Sequence, residues 1–460
     1  MLKHLLLLFL ALSLSAQTFA QKNKSSFFEK LASSRLLSNG IELYNQDKTY
    51  DALMVFKQAR VKDVFSWKAN FWIATAEYDL KNYTSAYENA TAALTLIKDK
   101  ENADLQLVLA KSSHRLGNVE AALEHYKTAS RVYGPKTAKE YDIPVYISQC
   151  EFAINQKREK IENQRKLMVA GFITKYDEYA PILTGNGQHL FFTARLPETT
   201  GENLNPDDDN FFEDVYHAIY NPTKREWELK AETFESVNTE GFDALSYASR
   251  NGFYLLGTVN TSASKEKSTT SSEIFEVDTD VLADYGSPTI IVNKTINTGY
   301  YDGAATITDT IFLDEEKETF RQTMIFVSDR NAEKTLTDLF TVEKLNGQWQ
   351  SAKVLPNFIN TSGQETTPFL TPDGKFLFFS SDALPGMGGY DVYYCEWINN
   401  EWSKPINLGA TFNTTNDDTH FQIYPEWKKA VMAGIRENDG VYNYDLFEIN
   451  LEGLVFPFLK

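Results

Sequence analysis

The side chains that most often carry out chemistry in proteins are scarce in this sequence. Its two cysteines, Cys150 and Cys395, are too few for a structural zinc site or a disulfide framework. Free buried thiols are therefore predicted, with one bridge between domains as the alternative. Beyond His4, no histidine pair has the His-Glu-x-x-His spacing of a catalytic zinc helix, and the remaining histidines are His114, His125, His189, His217 and His420.

Motifs for nucleophilic catalysis and phosphate binding are missing as well. The sequence has no Gly-x-Ser-x-Gly elbow of the kind that exposes a serine nucleophile. The glycine-rich run at 386–389 falls in a predicted hairpin, whereas a phosphate-binding loop leads into a helix. We therefore predict a protein that is not an enzyme and uses no cofactor. Scattered carboxylates leave a glycosidase-like pair open as an alternative.

One acidic segment is a candidate metal site. Asp207, Asp208 and Asp209 are followed by Glu213 and Asp214, and carboxylate oxygens are the ligands that calcium prefers. The spacing does not match an EF-hand loop. A solvated loop is the prediction and calcium binding is the alternative, so the sequence assigns no catalytic, cofactor-binding, metal or other binding residue.

Charge and composition exclude some classes of partner. The chain of 460 residues has a formal net charge of −18. Nucleic acids and anionic membranes are disfavoured, because both attract clustered lysine and arginine. An aromatic content of 13% favours sheet-rich structure, because rings pack well on pleated surfaces. A protein partner remains compatible with this balance.

The N-terminus predicts export. Lys3 and His4 precede an apolar run at 5–16, and Thr18 and Ala20 supply small residues for cleavage before Gln21. The run is too short to span a bilayer, which needs about 20 residues. We predict a cleaved Sec signal peptide over residues 1–20, and no later stretch has transmembrane length. A buried helix or an uncleaved anchor is the alternative.

Small residues recur in the next segment with a period of 34 to 36 residues. They stand at matched intervals in three copies, which are Gly40-Ala52-Phe56-Ala59, Ala74-Ala86-Ala90-Ala93 and Ala110-Ala122-Tyr126-Ala129. Small residues let antiparallel helices approach, and a larger or small apolar residue one turn later fills the gap to the next repeat. The pattern over 36–132 resembles the tetratricopeptide repeat (TPR).

The TPR resemblance implies a concave groove that binds a peptide or protein. Tyr44, Trp67 and Tyr78 are candidates for the groove or the core, and the core is expected for most of them. A further helical stretch over 139–165 is predicted to cap the array, so the helical domain is placed at 27–164. A generic helical bundle is the alternative.

After residue 165 the pattern changes to short alternating strands with three recurring signatures. The first is an apolar residue before Asn-Thr, at Asn238, Asn297, Asn360 and Asn413. The second is an acidic residue that leads through an Asx-Gly turn into a strand, starting at Glu178, Asp243 and Glu365, with weaker copies that begin at Asp302 and Asp418. The third is an acidic, aliphatic, aromatic triplet at the start of a third strand, at Asp214, Glu273, Asp338, Asp391 and Asp445.

Five such modules predict a five-bladed β-propeller over 165–460, because a closed ring removes exposed sheet edges. Other all-β architectures are the alternative. The modules resemble PD40-type, TolB-like (WD40-like) propeller repeats, most closely at 388–409. A tryptophan is predicted near the outer edge of three blades. The last module lacks its outer strand, so residues 165–173 are predicted to supply that strand and close the ring.

The order of signal peptide, TPR array and PD40 propeller resembles Gram-negative envelope proteins. It is similar to the N-terminal part of peptidoglycan-associated OmpA-family subunits of type IX secretion and gliding machinery. Those relatives continue into a peptidoglycan-binding domain, which is not expected here because the sequence ends at Lys460. The resemblance implies a periplasmic or outer-membrane-associated scaffold that binds envelope proteins through groove and propeller. A glycan- or small-ligand-binding propeller and a carboxylate enzyme are the alternatives.

Overall fold

The computed structural model describes most of the chain. The described residues are 25–156, 165–168, 174–184, 186–205, 210–230, 237–260, 271–280, 284–285, 288–308, 312–314, 319–331, 336–438 and 440–459. The predicted signal peptide at 1–20 lies outside them. The chain separates into two compact units, one ending at Tyr141 and one beginning at Asp142. The predicted domain boundary at 164 stays a prediction.

The first unit is an array of three antiparallel helix pairs within the described residues. The helices are α1 (Phe27–Tyr44), α2 (Thr49–Lys62), α3 (Trp67–Asp79), α4 (Tyr83–Leu96), α5 (Ala103–Arg115) and α6 (Val119–Glu140). Side-chain caps start several of them. Ser26 and Glu29 form a capping box, and Ser66 and Asn102 accept backbone N–H groups of α3 and α5. This confirms the predicted helical repeats.

Close approach of the paired helices explains the small residues of the repeat. Ala52, Ala86 and Ala122 are fully buried where the second helix of each pair meets the first. Gly40 lies against the Phe56 ring, and a Cβ at Gly40 would overlap that ring. The repeat therefore needs a small residue on α1 so that Phe56 can reach the core.

A backbone kink interrupts the last helix of this unit. Gly134 has φ 77°, and Pro135 follows it inside α6. A left-handed residue cannot continue an α-helix, so the two halves change direction there. The further helix α7 (Ile143–Asn155) covers the middle of the predicted stretch 139–165, and its contacts group it with the second unit.

The second unit contains five antiparallel sheets in its described part, and these are the blades of a propeller. The chain first forms strand β1 (Arg165–Leu167). Blade 1 has β2 (Glu178–Thr184), β3 (His189–Ala194), β4 (Asp214–Asn221) and β5 (Glu226–Leu229). Blade 2 has β6 (Phe242–Ala248), β7 (Tyr254–Asn260), β8 (Glu273–Asp280), β9 (Asp284–Tyr285) and β10 (Thr289–Ile290). Blade 3 has β11 (Asp302–Ile307), β12 (Phe312–Asp314), β13 (Thr319–Ser328), β14 (Asp338–Leu345), β15 (Gln348–Trp349) and β16 (Lys353–Val354). Blade 4 has β17 (Glu365–Leu370), β18 (Phe376–Ser381), β19 (Asp391–Ile398), β20 (Glu401–Trp402) and β21 (Ile406–Asn407). Blade 5 has β22 (Asp418–Tyr424), β23 (Lys429–Asn438) and β24 (Val441–Asn450).

The ring closes where a strand from the start of the propeller pairs with a strand from its end. Strand β1 lies antiparallel to β24, with Arg165 opposite Ile449 and Leu167 opposite Phe447. This confirms the prediction that the segment after residue 165 supplies the outer strand of blade 5, although 169–173 lie outside the described residues. Strand β1 therefore gives blade 5 the outer strand that it would otherwise lack.

Most signatures occupy the positions that the sequence predicts. Trp227, Trp349 and Trp402 lie in the outer strands β5, β15 and β20. Four of the triplets start a third strand. The prediction for Asp445 is wrong, because β24 already begins at Val441, where it pairs with the end of the long strand β23.

Each Asn-Thr pair joins two successive blades, and we call this arrangement the blade clip. In one copy, Asn360 Oδ1 accepts the N–H of Leu339 and its amide donates to the Leu339 carbonyl, at 2.8 and 3.0 Å. Thr361 then donates its N–H and hydroxyl to Glu365, the first residue of blade 4. The same bonds recur in the other copies, Asn238 with Val215, Asn297 with Ile274, and Asn413 with Val392.

Candidate functional site

The candidate metal-binding residues that the structure describes do not assemble into a metal site. Asp207, Asp208 and Asp209 lie outside the described residues, so calcium binding stays untested. Asp214 is fully buried and accepts the N–H and hydroxyl of Thr200 at 2.7 and 2.9 Å. Among the described residues, no three His, Cys, Asp or Glu side chains are grouped as metal ligands would be.

The cysteines and histidines are mostly buried and neutral. Cys150 and Cys395 are free thiols, as predicted, and burial raises the pKa of each to about 12. His189 and His217 stack on each other, with Nδ1 of the first 2.9 Å from Nε2 of the second. Burial lowers both pKa values, that of His217 to about 3, so this pair shares a hydrogen bond between neutral rings.

A cavity lies where the inner strands of all five blades meet. Its volume is about 540 Å³, and strands β2, β6, β11, β17 and β22 contribute to its wall. Each of these strands has a register shift against the next strand of its blade. An extra residue at such a bulge bends the strand and leaves an amide without its ladder partner. We call this space the axial cavity.

Hydroxyl side chains from neighbouring blades satisfy the amides that the bulges release. Ala304 and His420 lie at bulges with positive φ. The N–H of Ala304 donates to Thr258 Oγ1 at 2.9 Å, and the N–H of His420 donates to Thr367 Oγ1 at 3.2 Å. Hydrogen bonds from neighbouring blades therefore hold these two bulges in place.

Aromatic rings and carboxylates form the wall. Tyr179, Phe242, Tyr301 and Tyr390 line the cavity from four different blades. Burial raises the pKa of Tyr179 well above its usual range, and a hydrogen bond to Glu213 adds to the shift. Burial and the nearby charges of Glu213 and Asp329 raise the pKa of Tyr301 to about 12. These phenols stay neutral at physiological pH.

The described part of the cavity wall has acidic side chains without a lysine or arginine, and one of them, Asp243, is partly protonated near neutral pH because burial raises its pKa to about 7. Glu213, Asp243 and Asp329 belong to its wall, whereas no lysine or arginine stands among the described residues that line it. Arg195 is not a wall residue but forms an ion pair with Glu213, with its Nε 3.6 Å from Glu213 Oε1. His420 is also a wall residue, but burial lowers its pKa to about 3 and keeps it uncharged. The cavity therefore offers a ligand hydrogen-bond acceptors and the π faces of aromatic rings.

Sequence reasoning missed this site for an identifiable reason. Tyr301 and Phe242 stand next to the repeated acidic residue of their blades, and Glu213 and Tyr390 stand just before the triplet. The repeated residues themselves serve the blade clips. The sequence did contain a signal of this site. The residues beside the motif differ from blade to blade while the motif itself recurs, and such variable positions are not part of the contacts that all blades share.

A second candidate surface lies on the helical unit. The first helices of successive pairs, α1, α3 and α5, contact one another. Tyr44 on α1 packs edge-on against Trp72, with ring centroids 5.6 Å apart, and its hydroxyl donates to Asp79. Lys111 on α5 has its Nζ 5.8 Å from the Tyr78 ring. Tyr44, Trp67 and Tyr78 are all half-buried, between groove and core.

These elements define a chain with a tetratricopeptide-type helical array and a five-bladed β-propeller. No protein-family model matches the chain, and no curated protein matches it. Among the described residues, no helix is both long and apolar enough to cross a membrane.

Solved structures of TPR proteins are similar to about a quarter of the chain. The Yersinia enterocolitica secretion chaperone SycD, solved with a peptide of the translocator YopD, is 15% identical, with a TM-score of 0.24, and 26% of this chain covers 91% of it. The first TPR of Spaghetti (RPAP3), bound to an HSP90 peptide, is 14% identical, with a TM-score of 0.25, and 29% of this chain covers 98% of it. The Arabidopsis OM64 TPR domain is 20% identical, with a TM-score of 0.23, and 25% of this chain covers 97% of it. Likeness at this level identifies neither a ligand nor a partner.

Proposed function

We propose that the protein is a non-catalytic scaffold of the Gram-negative cell envelope that binds a separate protein partner with each of its two units. The observation that carries this proposal is the use of the propeller's repeated carboxylates. Asp243, Asp302, Glu365 and Asp418 are fully buried and accept hydrogen bonds from the threonines of the blade clips. They hold blades together, and their repetition needs no catalytic explanation.

The helical unit supports the same proposal from its own surface. Half-buried aromatic rings on adjacent first helices, such as Tyr44 and Trp72, offer apolar area next to Asp79 and Lys111. Aromatic side chains with polar neighbours are typical of protein-binding surfaces. The periplasmic or outer-membrane location, and a role in type IX secretion or gliding, rest on the N-terminal sequence and on the order of the domains.

Cross-linking in the native envelope, followed by affinity purification and mass spectrometry, tests this function. We expect envelope proteins to be recovered, and we expect Trp72→Ala and Asp329→Asn to lose different partners. Asp373→Asn, a change in an exposed hairpin of blade 4, is the matched control and should lose none. Cleavage of a glycan or peptide by the purified protein would contradict the proposal, as would identical partner loss in both variants.

A further inference from the structure

We infer that the axial cavity receives a lysine or arginine side chain presented by a protein partner. This inference rests on the proposed scaffold function and names the chemistry that one of its two surfaces recognises. The cavity volume of about 540 Å³ lies within the range of small-molecule pockets. It is larger than one side chain, so a basic residue can enter together with part of its neighbours.

The charge of the wall selects a cation. Glu213, Asp243 and Asp329 are acidic, and the described wall residues include neither lysine nor arginine. An anionic ligand would be repelled by these carboxylates and would find no cation in the wall to pair with. An ammonium or guanidinium group would gain charge-assisted hydrogen bonds in a place partly shielded from water.

The aromatic rings suit the same group. Tyr179, Phe242, Tyr301 and Tyr390 surround the cavity from different directions. The π face of an aromatic ring attracts a cation within about 6 Å, and clusters of such rings are used to bind ammonium groups. Leu245, an apolar residue of the same wall, would cover the aliphatic stem of a long basic side chain.

Asp243 supplies an independent observation. It is fully buried in the cavity wall, and its Oδ2 accepts the N–H and hydroxyl of Thr239 at 2.5 and 2.8 Å. Its Oδ1 is buried and has no hydrogen-bond partner among the described residues. A buried acceptor without a donor is unfavourable. A positive charge brought into the cavity would offset that penalty, because a nearby opposite charge favours the ionised carboxylate.

The equivalent acids of two other blades show what Asp243 lacks. Asp302 Oδ1 accepts from Ser328 and Arg330 in blade 3, and Glu365 Oε1 accepts from Ser381 in blade 4. Those serines lie directly opposite the acids in the strand register. In blade 2 the residue opposite Asp243 is Val259, which cannot donate. In blade 1 the equivalent acid Glu178 also has a buried oxygen, Oε2, without a partner among the described residues, but of these two acids only Asp243 belongs to the wall of the axial cavity.

The test uses the full chain and three pools of labelled, end-capped heptapeptides. The pools share randomised flanks and differ in the central residue, which is lysine, norleucine or glutamate, and binding is measured by fluorescence polarisation. We expect the lysine pool to bind at least tenfold more tightly than the norleucine pool, and the glutamate pool not to bind. Spermidine and N-acetylglucosamine are titrated separately as a small cation and a neutral sugar.

Variants locate the binding in the cavity. Asp329→Asn and Asp243→Asn should each weaken the lysine pool by about tenfold while leaving the norleucine pool unchanged. Asp373→Asn controls for overall charge and should have no effect, and far-ultraviolet circular dichroism checks folding. If one cavity variant does not fold, the other still decides the question.

Several results would overturn the inference. Equal binding of the lysine and norleucine pools would do so, as would a lysine preference that survives both cavity variants. Saturation by spermidine or by N-acetylglucosamine without peptide binding would show a small-molecule site instead. If envelope partners are still captured when any of these results is obtained, the proposed scaffold function stands and only this inference fails. Cleavage of a glycan or peptide would contradict the scaffold function but would not affect the lysine preference.

Discussion

The helical array and the propeller bury their repeated units in different ways. In the array each helix pair packs on its neighbours, and the first helix leaves Phe27 and Phe28 73% and 78% exposed at its start. In the propeller strand β1 completes blade 5, and the inner strands β2 and β22 of blades 1 and 5 contact each other, so every blade has two neighbours. A linear array can therefore loosen from one end, whereas a closed ring should resist until it opens as a whole.

Removal of a core aromatic should give the largest contrast between the units. Phe56 is fully buried between α1, α2 and Trp72, and Phe378 is fully buried against Phe421 of blade 5 and Phe458. Replacement of either by alanine should lower the free energy of unfolding by about 3–5 kcal/mol. Hydrogen exchange should rise mainly in α1–α3 for Phe56→Ala and across all five blades for Phe378→Ala. An increase confined to blades 4 and 5 would contradict cooperative closure.

Addition of a single methyl group sharpens the same contrast. A Cβ at Gly257 in β7 would lie 2.6 Å from the Ala244 carbonyl oxygen and would also overlap the Phe275 ring. Gly257→Ala should therefore destabilise the propeller by about 1–3 kcal/mol. Gly40→Ala is the matched change in α1, where the overlap is with the Phe56 side chain and alanine improves helix propensity. Chemical denaturation should show the smaller loss for Gly40→Ala, and the reverse order would refute this account.

Much of this fold was predictable from the sequence, for a physical reason. Residues such as Asn360, Thr361 and Glu365 make the same bonds in successive blades, so the repeat in structure requires a repeat in residue type. Likewise, Ala52 and Ala86 recur because paired helices must approach closely. The missing outer strand of blade 5 also predicted the role of β1, because an unpaired edge is unfavourable.

The axial cavity was not predictable in the same way. Tyr301 and Asp329 are brought together by pairing of β11 with β13, and the N–H of Tyr301 donates to Asp329 Oδ1 at 2.8 Å. The tyrosine does not recur at its position in the other blades, and the aspartate recurs in blade 4 as Asp382, which accepts the N–H of Gln364. The bulges that shape the wall depend on packing around the axis, as at Ala180 with φ 52°, and no local turn motif marks them.

Loss of one blade clip should have a moderate effect. Asn360→Ala would leave the buried N–H of Leu339 without a partner, while the Leu339 carbonyl would keep only the N–H of Leu355, so we expect a loss of about 1–3 kcal/mol. Asn102→Ala removes a helix N-cap from α5 and should cost the helical array about 1 kcal/mol. Differential scanning calorimetry of the full chain can follow both units. An Asn102→Ala loss that exceeds the Asn360→Ala loss would mean that the clips contribute less than ordinary caps.

The smallest expected effect is a pH dependence of the propeller. Burial raises the pKa of Asp243 to about 7, whereas an unfolded aspartate titrates near 3.9. The folded state therefore holds the proton more tightly, so the stability contributed by protonated Asp243 is complete below about pH 4 and is lost as the pH rises through about 7. Between about pH 6 and 8 we expect Asp243 to lower the free energy of unfolding by about 1 kcal/mol. Glu178 and Asp391 act in the same direction, because burial raises their pKa values to about 8 and about 7. Asparagine mimics the protonated carboxyl, so Asp243→Asn should flatten the slope of the free energy of unfolding against pH, measured by guanidinium titration. The exposed Asp373→Asn change should keep that slope. An unchanged slope in Asp243→Asn would assign the proton to another group.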